Sequence, residues 1–196
     1  MPKNTQNSAQ SRAATPNSRQ PLTADHPAIR AAQIDLCGFI FDLANDLAAL
    51  HGFDWKAVPD APSTYSELKR CFAASKATGQ PLPVSNENSS ATVFGNAEAN
   101  YALRFVHDVL HVTNGLSFNS RDEYVLACQF MNRAAGWGIR HGSIAWYLLL
   151  SDAVGQALFY AVTKEYVEDQ LRFGLDTVNL GLHRALLAEV ERHHGK

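Results

Sequence analysis

Residues 104 to 123, RFVHDVLHVTNGLSFNSRDE, place two histidines four positions apart, His107 and His111. An aspartate, Asp108, follows the first directly, and a glutamate, Glu123, lies twelve positions after the second. On a helix, residues i and i+4 stand one above the other on the same face, so the two imidazoles can reach one ion. Two histidines alone chelate weakly. A carboxylate from a neighbouring segment would add a third donor and reduce the positive charge of the site. Such a set leaves coordination positions open, as catalytic rather than closed structural sites do. Mixed nitrogen and oxygen donors suit a divalent metal, zinc first, with iron and manganese as alternatives.

A turn of about 100° per residue divides this segment into two arcs. Ala102, Leu103, Phe105, Val106, Val109, Leu110 and Val112 fill one, while Tyr101, Arg104, His107, Asp108 and His111 form the other. Every residue of the second arc is ionisable. Its plainer reading is a solvated helix face. Glu123 also has a competing role, because Ser120-Arg121-Asp122-Glu123 has the pattern of a capping box, in which the glutamate bonds back to the N-cap amide. The pattern leaves Glu123 between cap and ligand. Arg104, one turn before Asp108, is placed to hold that carboxylate or a substrate acid group. Asp152 stands in the most apolar stretch of the chain, where a carboxylate is costly unless it meets a cation, a metal or a donor. The metal candidates are therefore His107, Asp108, His111 and Glu123, and the catalytic candidates are Arg104 and Asp152. His141 is a weaker neighbour, set in the glycine-rich GWGIRHG.

The elements that must position these residues are helices. From Pro27 to Leu50, apolar residues recur at three- and four-residue steps, with Asp25 placed to cap and Gly52 to terminate. Further helices are expected over Ser63 to Ala77, Asn96 to about Thr113, Arg121 to about Ala135 and about Ser143 to Lys164. More helix follows to the end, broken around Gly174 to Gly181. GQPLPVSNENSS, residues 79 to 90, has the composition of a loop, and no strand-like alternation of useful length is present. The expected class is all-α: a single helical domain of six to seven helices over 25–196, with a disordered tail over 1–24. SIAWYLLLSDAVGQALFYAV, residues 143 to 162, is long enough for a membrane span. Asp152 and Gln156 in its middle favour a central buried helix, with peripheral membrane contact left open.

The chain has 196 residues, 46% of them hydrophobic, enough for one domain with a real core. Its net charge of −2 gives no global field toward nucleic acid, and no local basic patch compensates. Cys37, Cys71 and Cys128 are widely spaced and form no CxxC pair, which points to reduced thiols in a cytoplasmic setting. Residues 1 to 24 hold Lys3, Arg12 and Arg19 and no acid before Asp25. That composition indicates disorder, with an organelle transit segment as the alternative.

His107-Asp108-x-x-His111 followed by eleven residues and Glu123 resembles the HDxxH-x11-E motif of the coenzyme Q biosynthesis protein 4 family. The resemblance covers about twenty residues, with Tyr101 and Arg104 preceding the motif as a tyrosine and arginines do in the family. It implies a helical protein that binds a divalent metal through His107, Asp108, His111 and Glu123. It further implies association with membranes or lipids and action on a small, hydrophobic, quinone-like substrate, by lyase or decarboxylase chemistry. The His107-Asp108 doublet also fits an HD-type phosphohydrolase, a hydrolase in which His51 would be the earlier histidine and Asp152 the later aspartate. A third reading is a non-catalytic interaction or assembly module with a structural metal, and a homo-oligomer fits any of the three. A ferritin-type di-iron site needs two Glu-x-x-His pairs, and only Glu191 to His194 fits.

Overall fold

The computed structural model describes residues 20–195, which form an all-α domain of seven helices with one small sheet. The expected tail falls outside the described residues up to position 19. Its last residues belong to the fold, because the Leu22 backbone exchanges two hydrogen bonds with the Asn179 side chain, at 2.8 and 2.9 Å.

Helix α1, Pro27–His51, buries Ile29, Leu36, Phe39, Ile40 and Leu47 on one stripe. Its cap is His26, whose Nδ1 accepts from the Ala28 amide at 3.1 Å. Asp25, the expected cap, instead pairs with Arg30 in solvent, and Leu50 faces water. Strand β1, Trp55–Val58, follows, and then α2, Tyr65–Thr78, which opens on a capping box between Thr64 and Glu67.

Strand β2, Leu82–Ser85, lies in what reads as pure loop. It pairs in parallel with β1, Trp55 opposite Leu82 and Val58 opposite Ser85, with α2 as the crossover that parallel pairing requires. Four-residue strands are too short for alternation to register. Pro83, which would argue against a central strand, is tolerated in a two-stranded sheet where every strand is an edge.

Helices α3, Ala97–Asn114, and α4, Ser120–Trp137, form a hairpin across the short turn after Gly115, which takes φ 66° at the end of α3. The longest apolar segment is α5, Ile144–Thr163, whose α-helical ladder loosens into a π turn over Ser151–Gly155. By length and composition this helix could cross a membrane. It packs on α1, α4 and the next helix, and within it only Ala161 and Val162 are exposed. Helices α6, Gln170–Leu180, and α7, Leu182–His194, close the fold. The break between them falls at Gly181 alone. Gly174 is inside α6, where a Cβ would stand 2.8 Å from Val93 Cγ1, so it serves close packing rather than helix termination.

Candidate metal centre

The apolar arc of α3 enters the core, with Ala102, Phe105, Val106 and Val109 without exposure. That burial fixes the rotation of the helix and turns His107 and His111 toward α4. Asn119, not Ser120, caps α4: its Oδ1 accepts from the amides of Arg121 and Asp122, both at 3.0 Å. Asp122 takes the reciprocal role, accepting from the Ser117 amide and hydroxyl at 2.9 and 2.8 Å. Asn119 and Asp122 thereby hold the helix start in place, and Glu123, one position on, has its side chain free for the histidines. The capping-box reading of Glu123 is corrected on this point.

Glu123 Oε2 lies 3.1 Å from His107 Nε2, and Glu123 Oε1 lies 3.4 Å from His111 Nε2. The two imidazole Nε2 atoms are 3.0 Å apart. One donor atom from each of His107, His111 and Glu123 falls within 4.8 Å of the others, a group that can hold a metal ion. The outer ring nitrogens are also engaged. His111 Nδ1 is 3.0 Å from the Leu116 carbonyl, which can only accept, so Nδ1 carries the hydrogen and Nε2 offers a lone pair. His107 Nδ1 is 3.4 Å from Asp108 Oδ1, which favours the same tautomer. The two Nε2 atoms and the Glu123 carboxylate thus face one point, which a shared cation, either a proton on His107 Nε2 or a metal ion in its place, would neutralise. Phe118 packs edge-on against His111, at 4.9 Å between ring centroids, and fixes the plane of that imidazole.

Electrostatics around the group follow from this geometry. Burial works against a charged His107, but its hydrogen bonds to Asp108 and Glu123 outweigh that and push it up to about 10. Burial likewise opposes charge on Glu123, and the two histidines overcome it, holding the carboxyl at about 2. A single proton on His107 Nε2 then sits among the donors a metal ion would use. Asp108, expected among the ligands, lies outside the converging group, on the Nδ1 side of His107, where a carboxylate can orient the imidazole.

His107 and Glu123 line a cavity of about 660 Å³ together with Arg104 and Asp152, while His111 is fully buried behind them. Arg104 does not hold Asp108. Its Nη2 donates to the Glu87 carbonyl at 2.8 Å, which ties the segment after β2 to α3. Asp152 reaches the cavity from the π turn of α5; burial raises its carboxyl to about 6, with Arg104, His107 and Gln156 partly offsetting it. His51 packs against Phe53 and Phe72, and exposed His141 against Trp146; neither lines the cavity.

Several lining residues gave no signal in the sequence. Pro59, Ala61, Pro62 and Ser63 after β1, and Ser85 at the end of β2 with Glu87 and Asn88 beyond it, form a wall because the parallel pairing sets both strand ends beside α3. Tyr160 and Tyr166 reach the cavity from the end of α5 and the turn beyond it. No family model, no curated protein and no solved structure matches the chain.

Proposed function

We propose that the protein is a metal-dependent enzyme acting on a small, hydrophobic or aromatic, quinone-like substrate. The observation that carries this reading is the convergence of His107, His111 and Glu123 on one point, with His107 and Glu123 lining a substrate-sized cavity. A divalent ion held by these three residues, zinc first, would supply Lewis-acid polarisation of a substrate oxygen. Three protein donors beside an open cavity favour a catalytic site over a closed structural one.

The chain's own groups have roles to match. Arg104 is anchored through one nitrogen and keeps donors for orienting a substrate oxygen. Asp152, with its proton affinity near neutrality, is suited to accept or return a proton. Leu103, Leu126 and Phe130 give the cavity an apolar flank that limits water around the reacting group. The resemblance carried by the motif supports the quinone-like substrate and a contact with lipid.

An HD-type phosphohydrolase is the second reading, favoured by the presence of Asp152 in the same cavity as the His107-Asp108 doublet. Two observations weigh against it. His51 lies elsewhere, and Arg104 is the one Lys or Arg among the described residues lining the cavity, against the carboxylates of Glu87, Asp108, Glu123 and Asp152. A phosphomonoester would meet a wall of its own sign.

The test is turnover of two panels, prenylated or alkylated phenols and quinones on one side and phosphoesters on the other. Each panel is run on wild type, on chelator-treated protein and on Asp152→Asn. Metal-dependent conversion within the first panel that falls at least tenfold in Asp152→Asn is expected. Turnover confined to phosphoesters would transfer the assignment to the second reading.

A further inference from the structure

Eight large apolar side chains are exposed among the described residues, and Tyr166 alone of these also lines the cavity. Tyr166 is 66% exposed and therefore stands at the opening, where inside meets solvent. Its ring stacks on that of Tyr160 with 4.8 Å between centroids and 28° between planes.

The chain reaches this position through a defined reversal. Lys164 ends α5 in the left-handed conformation, φ 64°, and sends the backbone back along the helix it has just left. Gln156, on α5, accepts from the Val167 amide at 3.3 Å and pins the return. Val167 itself is buried against Phe159 and Phe173, so the residue next to Tyr166 is anchored in the core. Lys164 Nζ lies 5.8 Å from the Tyr160 ring centre, adding a cation to the stack. Both rings line the same cavity as His107 and Glu123, and burial, together with the Glu123 charge, pushes the Tyr166 phenol up.

We propose that Tyr160 and Tyr166 form an aromatic shelf at the mouth of the cavity, on which a planar ring of the ligand stacks while its oxygen substituent extends toward His107, His111 and Glu123. The inference rests on the reading of the cavity as a substrate site and adds the residues that select for planarity. A stack of two rings ending in a solvent-exposed aromatic face offers a third flat ring the offset contact that such systems prefer. A saturated ring of the same skeleton buries similar area without that contact. The exposed position also allows Tyr166 to be changed without opening the core.

The experiment measures binding of 2-naphthol and of decahydro-2-naphthol by calorimetry, to wild type, Tyr166→Phe, Tyr166→Leu, Tyr160→Leu and His111→Ala, with metal content determined in parallel. Wild type should prefer 2-naphthol. Tyr166→Leu should lose about three- to tenfold in affinity for it and little for the saturated alcohol, and Tyr166→Phe should retain the preference. Metal content should be the same in Tyr166→Leu as in wild type. In His111→Ala the preference for the planar ring should survive while metal is lost, so failure of the shelf and failure of the metal site give different results. Equal affinity of wild type for the two alcohols, no binding of either, or an unchanged 2-naphthol affinity in Tyr166→Leu would each overturn the proposal.

Discussion

At the level of single residues, the centre is a competition between one proton and one metal ion for the same lone pairs. With His107 raised to about 10 and Glu123 held at about 2, the metal-free site pairs a protonated His107 with an ionised Glu123 at neutral pH, and the proton on His107 Nε2 occupies a position a metal ion would use. Metal binding must displace it. The sign follows: below the raised value each unit of pH rise removes a tenfold proton competition, so apparent metal affinity should climb about tenfold per unit. Competition titrations at pH 6, 7 and 8 read this directly, and a flat profile would mean that His107 is not protonated in the free site. Asp108 enters as the carboxylate behind His107. Asp108→Ala should weaken metal binding about 10- to 100-fold without abolishing it, whereas a direct ligand's loss would abolish it. The histidine spacing and the ionisable arc were legible because helical periodicity places i and i+4 together. The allegiance of Glu123 was not, since Ser120 and Asn119 are equally favoured N-cap residues one position apart, and only the fold selects between them.

At the level of elements, two features hold the centre in register. Asn119 starts α4 at the position that aims Glu123 at the histidines. Asn119→Ala should cost about 1 kcal/mol in urea unfolding, in line with the loss of an N-cap. Gly174 lets α6 approach α5 and the segment around Val93. A methyl group there would meet Val93 Cγ1 at 2.8 Å and Leu148 Cδ2 at 3.1 Å. Gly174→Ala should therefore destabilise by about 1–3 kcal/mol, seen as a lower urea midpoint at unchanged slope. Helix limits for α1 and α3 could be read closely because Gly52 and Gly115 end them in the left-handed conformation, which few other residues adopt cheaply. The π turn at Ser151–Gly155 had no sequence signature. It accommodates the tight approach at Gly155, where a Cβ would stand 2.7 Å from Phe173 Cε1, and the same turn carries Asp152 to the cavity.

At the level of the whole molecule, the cavity belongs to no single element. The ends of two parallel strands, the α3–α4 hairpin, the π turn of α5 and the reversal after Lys164 each contribute a wall. The all-α class was legible from periodicity, and so was the pairing of His107 with His111 on one helix face, whereas the choice of carboxylate beside them was not. The enclosure around them depends on the β1–β2 pairing and on the chain returning over α5, both set by long-range packing. What the assembly concentrates at one place is the pair of imidazoles with Glu123, and the most direct measurement is metal stoichiometry by mass spectrometry on the purified chain. Wild type and Asp152→Asn should each hold about one divalent ion per chain, with His107→Ala, His111→Ala and Glu123→Ala each falling close to zero. Substoichiometric metal in wild type that is unchanged in all three substitutions would contradict the assignment of this centre.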